Sequence, residues 1–144
     1  MGYVAPEILS SRPTYDVSCD MWSMGVMLFL LLGGYGPFLG RDDNDVMERT
    51  RYGRYEFVDK YWSHISNEAK NLIRRMLTVD PKKRITAREA LANEWITAED
   101  DRFASRNLSM SRDRLQSMVS APRQQTAAKS VRLHGQWHGV QKQQ

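Results

Sequence analysis

The sequence predicts a mainly α-helical fold followed by a polar C-terminal tail, and three observations carry that prediction. Ala69, Leu72, Ile73, Met76 and Leu77 recur at i, i+3, i+4, i+7 and i+8, which is one apolar stripe along a helix. Residues 21–32 form an apolar run of 12 residues that ends at Gly33-Gly34. A membrane-spanning helix needs about 20 such residues, so this run reads as a buried core helix. Nowhere does the chain alternate apolar and polar residues as a half-buried strand must.

In chain order, residues 1–13 read as an extended loop with a short helical turn around Glu7 to Ser10. Asp16 to Leu32 reads as a helix apolar nearly all round, with Asp16 or Ser18 as the N-cap and Gly33-Gly34 as the stop. Residues 34–40 form a turn-rich connection, and Asp43 to Tyr52 a short helix with acidic residues in its first turn. Residues 53–65 read as a loop carrying Tyr55, Phe57, Tyr61 and Trp62. A helix starts at Ser66-Asn67-Glu68 and stops before Asp80-Pro81. Thr86 opens a further helix to about Asn93, with Glu89 three places on completing a capping box. The expected core is one central buried helix with three shorter helices packed around it. Trp22 and Trp95 are its anchors, and Gly25 allows close helix packing. Faces left without neighbours are expected to be exposed and apolar, and the fold marginally stable.

The net charge of +4 is unevenly placed. Residues 1–97 hold 13 basic and 13 acidic residues, whereas residues 114–144 hold 5 basic and no acidic ones. The excess is a basic tail, not a basic domain. The tail has a single aromatic, Trp137, and no base-reading motif, so neither nucleic acid nor a membrane surface is an expected partner. The single cysteine, Cys19, excludes an internal disulfide and fits a reducing intracellular setting, cytoplasmic or nuclear. It reads as a buried apolar filler in preference to a reactive thiol. No signal peptide is recognised ahead of the turn-like Gly2-Tyr-Val-Ala-Pro6.

Four segments, in this order and spacing, carry a resemblance. They are Gly2-Tyr-Val-Ala-Pro-Glu-Ile-Leu9, Asp20-Met-Trp-Ser-Met-Gly-Val26, Gly36-Pro-Phe38, and Asp80-Pro-Lys-Lys-Arg-Ile-Thr86 followed by Ala90-Leu91 and Glu94-Trp95-Ile96. Together they resemble the C-terminal lobe of Ser/Thr protein kinases of the calcium/calmodulin-dependent type, from the Ala-Pro-Glu motif onward. The resemblance implies a partial kinase domain over residues 1–97. It implies that Tyr3, Val4 and Ala5 form the loop receiving the substrate residue just after the phosphorylated one. It implies that Glu7 and Arg84, 77 positions apart, form a buried ion pair, since a guanidinium fork suits a carboxylate. Asp20 matches an aspartate that anchors the catalytic loop. Without that loop it is expected either to be a partly unsatisfied acceptor or simply to cap its helix.

Phosphoryl transfer in this family needs a Gly-rich loop, a lysine–glutamate pair, a catalytic aspartate and a metal-binding aspartate. The sequence holds no Gly-x-Gly-x-x-Gly, His-Arg-Asp or Asp-Phe-Gly. No catalytic residue, metal ligand or cofactor is therefore expected in this chain. ATP and Mg²⁺ belong to a full-length parent, as does the protein substrate. Met1 falls in the middle of a family loop, so the expectation is a truncated chain or one read from an interior start.

Beyond residue 97, residues 98–121 resemble the family's autoinhibitory helix region, with Leu108, Leu115, Met118 and Val119 on one face. Residues 122–144 are basic, Gln-rich and expected to be disordered when alone. Residues 107–135 resemble a calmodulin-binding segment, with Met118 and Val131 as its apolar anchors. Pro122 interrupts a continuous helix, and an inert basic tail is the alternative. Ser105, Ser109 and Ser117 each follow an arginine by three residues, a pattern that basophilic kinases accept. Two functional classes result: a Ser/Thr kinase fragment inactive by itself, or a non-enzymatic module that binds calmodulin or a kinase substrate.

Overall fold

The computed structural model describes residues 2–10, 13, 15–98 and 108–120, and all its regular structure among them is helical. A 3-10 turn at Pro6–Leu9 is followed by α1 (Val17–Gly33), α2 (Asp43–Arg51), α3 (Asp59–Trp62), α4 (Asn67–Met76), α5 (Ala87–Leu91), α6 (Glu94–Thr97) and α7 (Ser109–Ser120).

Local chemistry sets most of the boundaries. Asp16 caps α1 by accepting from Ser18 N at 2.6 Å. At the other end Gly34 adopts φ 70°, and its N–H donates to Leu30 O, a left-handed cap that glycine takes without penalty. Asp42 caps α2 by accepting from Asp45 N, and Ser66 caps α4 by accepting from Ala69 N. At α5 both halves of the Thr86/Glu89 capping box are present. The Thr86 helix nevertheless ends at Leu91 instead of running to Asn93. Asn93 turns the chain and caps α6 instead, its Oδ1 accepting from Trp95 N at 3.0 Å.

The core lies on both sides of α1. Trp22, Val26, Phe29 and Leu32 face one group, with Phe38, Trp62, Ile65, Ala69, Ile73 and Leu77. Met21 joins Leu72, Met76, Ile85 and Ala90 in a second group. The α4 stripe read from the sequence is the face that packs on α1, and Ala69, Leu72, Ile73, Met76 and Leu77 are all buried. Gly25 lets the two helices approach, because a Cβ there would lie 2.7 Å from Met76 Cβ.

The aromatic loop is more ordered than its sequence suggests. Residues 59–62 close one helical turn, and Phe29 is surrounded by Tyr35, Tyr55, Phe57 and Trp62. The segment is a loop apart from that turn, but Trp62 and Ile65 belong to the core and Tyr55, Phe57 and Tyr61 pack against it. The count of three satellite helices is exceeded by the single-turn α3 and α6 and by α7, which packs on the C-terminal half of α1. Along α1, Val17, Met24, Met27 and Leu31 stay exposed on one stripe. No helix among the described residues is long and apolar enough to cross a membrane.

Candidate functional site

The N-terminal loop is held to the lobe by the burial of Ala5, by packing of its turn on α2 and by specific hydrogen bonds. Tyr3 is exposed, Val4 half-buried and Ala5 buried. Ser23, on α1, points its hydroxyl at Tyr3 O, 3.0 Å away, and at Cys19 O, 3.2 Å away. Pro6 then starts the 3-10 turn, where a fixed φ and a missing N–H cost nothing. Ile8 N closes the turn on Ala5 O at 3.0 Å. The turn aims Glu7 into the lobe.

There Glu7 meets Arg84. Arg84 Nη1 donates to Glu7 Oε1 at 2.6 Å and Nη2 to Oε2 at 2.9 Å, a two-pronged contact. The remaining donors go to backbone carbonyls: Nη1 to Ser18 O at 2.8 Å, Nη2 to Val79 O at 3.2 Å and Nε to Thr78 O at 2.9 Å. A guanidinium has five N–H donors, and all five are used. That full set is what permits the Arg84 side chain to be 0% exposed, since an unpaired buried charge is costly. The guanidinium carbon also lies 5.1 Å over the Trp22 ring, which stacks on Phe38 at 5.3 Å. Arg84 is brought to this point by the Asp80 turn, whose carbonyl accepts from Arg84 N at 3.0 Å. One side chain therefore joins the N-terminal turn, the start of α1 and the end of the α4 segment.

Burial alone would raise the pKa of Glu7. The hydrogen bonds from Arg84, its own backbone and Cys19, with the Arg84 charge, overcome that and hold it below 4.5. Cys19 is buried, and its thiol donates to Glu7 Oε1 at 3.3 Å. Burial pushes the thiol pKa up, opposed by a backbone hydrogen bond at Asp16 and reinforced by Glu7. The thiolate is thereby disfavoured, which suits a packing residue more than a nucleophile.

Asp20 differs from both expectations. It sits exposed on the first turn of α1, where its Oδ1 accepts from the Tyr15 hydroxyl at 3.3 Å. Water solvates the carboxylate, so it is not a buried unsatisfied acceptor, and Asp16 takes the cap. The Asp20 charge in turn raises the pKa of the Tyr15 hydroxyl.

Helix α7 covers part of residues 98–121 and lies against the end of α1. Ser111, buried, donates to Leu32 O. Arg114 spreads over the Tyr61 ring at 3.6 Å, and its Nε reaches Gly34 O at 3.4 Å. Leu28, Leu31, Leu32, Leu115 and Val119 line a groove of about 800 Å³ between the two helices. Met118 falls within α7, but its side chain and Val131 lie outside the described residues.

Sequence reasoning missed three parts of this arrangement: the carbonyls of Ser18, Thr78 and Val79, the Ser23 hydroxyl, and the Arg114–Tyr61 contact. Carbonyl acceptors carry no side-chain signal. The pairing of Arg114 with an aromatic segment more than fifty positions away is a matter of tertiary placement. Among the described residues no group of three or more His, Cys, Asp or Glu is gathered to hold a metal ion.

A helical lobe closed by a buried arginine–glutamate pair beside an exposed loop is the architecture these observations define. A family profile, the protein kinase domain, matches residues 1–96. The chain belongs to the protein kinase domain family, and its fold is that of part of the helical lower lobe. It is 45% identical over 101 residues to calcium-dependent protein kinase 3 of Plasmodium yoelii yoelii, covering 70% of this chain and 18% of that protein. It is 45% identical over 104 residues to the calcium/calmodulin-dependent protein kinase type II alpha chain of Drosophila melanogaster, covering 72% and 19%. It is 47% identical over 96 residues to serine/threonine-protein kinase DCLK3 of Mus musculus, covering 65% and 12%. The chain spans less than a fifth of the length of these relatives.

Proposed function

We propose that this chain is the lower-lobe part of a Ser/Thr protein kinase of the calcium/calmodulin-dependent group, and that by itself it transfers no phosphoryl group. Its work in a complete kinase is to hold Tyr3, Val4 and Ala5 as a platform for the substrate residue that follows the phosphorylated one. The observation that carries this reading is the Arg84 cluster: two hydrogen bonds to Glu7 fix the turn directly after that platform, and three more anchor the guanidinium to lobe carbonyls. ATP and Mg²⁺ would act on residues other than these. The acidic and lysine groups that bind them in kinases have no counterpart in this sequence, so no chemical step is routed through it.

Incubating the purified chain with labelled ATP, Mg²⁺ and a basic Ser/Thr peptide tests the reading. The expected result is no transfer above a protein-free blank. Transfer that disappears in a point variant of this same chain would overturn it.

The basic tail, which holds no acidic residue after Asp113, favours a second reading, a calmodulin-binding module acting through residues 107–135 with Met118 and Val131 as anchors. Calcium-dependent retention of the chain on immobilised calmodulin is the expected result. Equal retention with calcium and with chelator would remove that reading.

A further inference from the structure

Helix α1 buries Trp22, Val26 and Phe29 in the lobe and turns a second face outward. On that face Val17, Met24, Met27 and Leu31 are 83%, 48%, 46% and 57% exposed. With Asp20 between the first two, these positions step along the chain by 3, 4, 3 and 4 residues. That is the a/d repeat of a coiled-coil seam, the spacing that suits contact of one helix with another. Asp20, also exposed, is the one polar member of the seam. From Val17 to Leu31 the seam runs about 21 Å at 1.5 Å per residue. Apolar residues in register over that length make a contact patch instead of scattered singles.

We propose that this seam pairs with the same seam of a second copy of the chain, with the two α1 helices antiparallel. Charge selects both the occupant and the direction. In a parallel pair each a or d residue meets its own equivalent, so Asp20 would face Asp20 and repel it. In an antiparallel pair an a residue packs against a d residue of the other helix, which sets Met24 on Met27 and Asp20 beside Leu31. Leu31 shares the lining of the groove between α1 and α7 with Arg112. Asp20 of each copy is thereby brought to Arg112 of the other. With an acid toward one end of the seam and a base at the other, the face is complementary to itself, as a two-fold pair requires.

Arg112 must give up its present partner for this. It lies 3.6 Å from Asp113, but the two side chains are 72% and 66% exposed, so that pair is worth little. Tyr15, whose hydroxyl donates to Asp20 Oδ1 at 3.3 Å, is exposed and stands at the rim of the contact. A seam this short is smaller than a standard interface of about 800 Å² per partner, so the dimer is weak and reversible, in the micromolar range. Pairing of this chain does not depend on the kinase reading.

Sedimentation velocity of the full chain, run from low to high micromolar concentration, tests the pairing. The expected result is a monomer that passes to a dimer and stops there. Met24→Lys sets a charge in the middle of the seam and is expected to weaken the dimer by roughly tenfold or more. Asp20→Lys and Arg112→Glu are each expected to weaken it several-fold, and the two together to bring the affinity back close to that of the unaltered chain. All three positions are exposed in the single copy, so circular dichroism should show the same helix content in every variant. A chain that stays monomeric throughout, one that grows past the dimer without a plateau, or a charge-swapped double variant no tighter than its singles would overturn the proposal.

Discussion

Replacing Arg84 by methionine is expected to destabilise the chain by about 3–5 kcal/mol, the cost of breaking one side of a buried ion pair. The loss has two sources. Glu7 keeps a carboxylate whose side chain is only 10% exposed, now without its counter-ion. The carbonyls of Ser18, Thr78 and Val79 lose their donor in the same space. A domain of this size has on the order of 5–15 kcal/mol in total. The variant therefore loses a large share of its stability, which a urea midpoint would report.

The same pair fixes a pH dependence. The folded-state pKa of Glu7 is depressed below 4.5, its ordinary value. Its stabilising contribution is therefore complete above that value and is lost as pH falls through the lower, folded-state pKa. Unfolding free energy measured from neutral pH down should show that acid-side slope, and Glu7→Gln should remove part of it. A single Lys at position 84 restores the charge but not the fork, so Arg84→Lys is expected to recover only part of the loss.

Trp62→Ala has the second large effect, about 3–5 kcal/mol for deleting a fully buried aromatic side chain. Trp62 is 0% exposed, with ring centres 4.6 Å from Phe29 and 4.5 Å from Phe57. Its Nε1 donates to the Tyr35 hydroxyl at 3.0 Å, and that hydroxyl donates to Glu56 O at 3.0 Å. Removing the indole empties the space under the end of α1 and loosens the turn after it. Trp62→Phe keeps a ring against Phe29 and Phe57 and is expected to cost less. Thermal unfolding followed by circular dichroism separates the three chains.

The helices with their own periodicity or caps were legible from sequence. The α4 stripe and the Thr86/Glu89 box each need only neighbours within a few residues, so local chemistry decides them. The single-turn α3 and α6 were not, because four residues are too few to show a period. For the same reason the aromatic residues from Tyr55 to Trp62 read as a loop, when their burial around Phe29 is a tertiary fact. The partnership of Glu7 with Arg84 came from family resemblance, since nothing in a separation of 77 positions implies contact. What the resemblance left out is the set of carbonyls that occupy the rest of the guanidinium. For Asp20, the expectation of an unsatisfied acceptor or a cap fails because the side chain is exposed and Asp16, four residues earlier, already caps α1.

The central claim is that Glu7 and Arg84 act as one unit, tying the Tyr3–Ala5 loop to the lobe. A double-mutant cycle on unfolding free energy, with Glu7→Gln, Arg84→Met and both together, tests it most directly. The account predicts that the double variant is more stable than the sum of the single losses allows, with a coupling on the order of 2 kcal/mol, within the range for residues in one buried network. Losses that add to within about 0.5 kcal/mol would show that the two side chains act independently and would contradict the account.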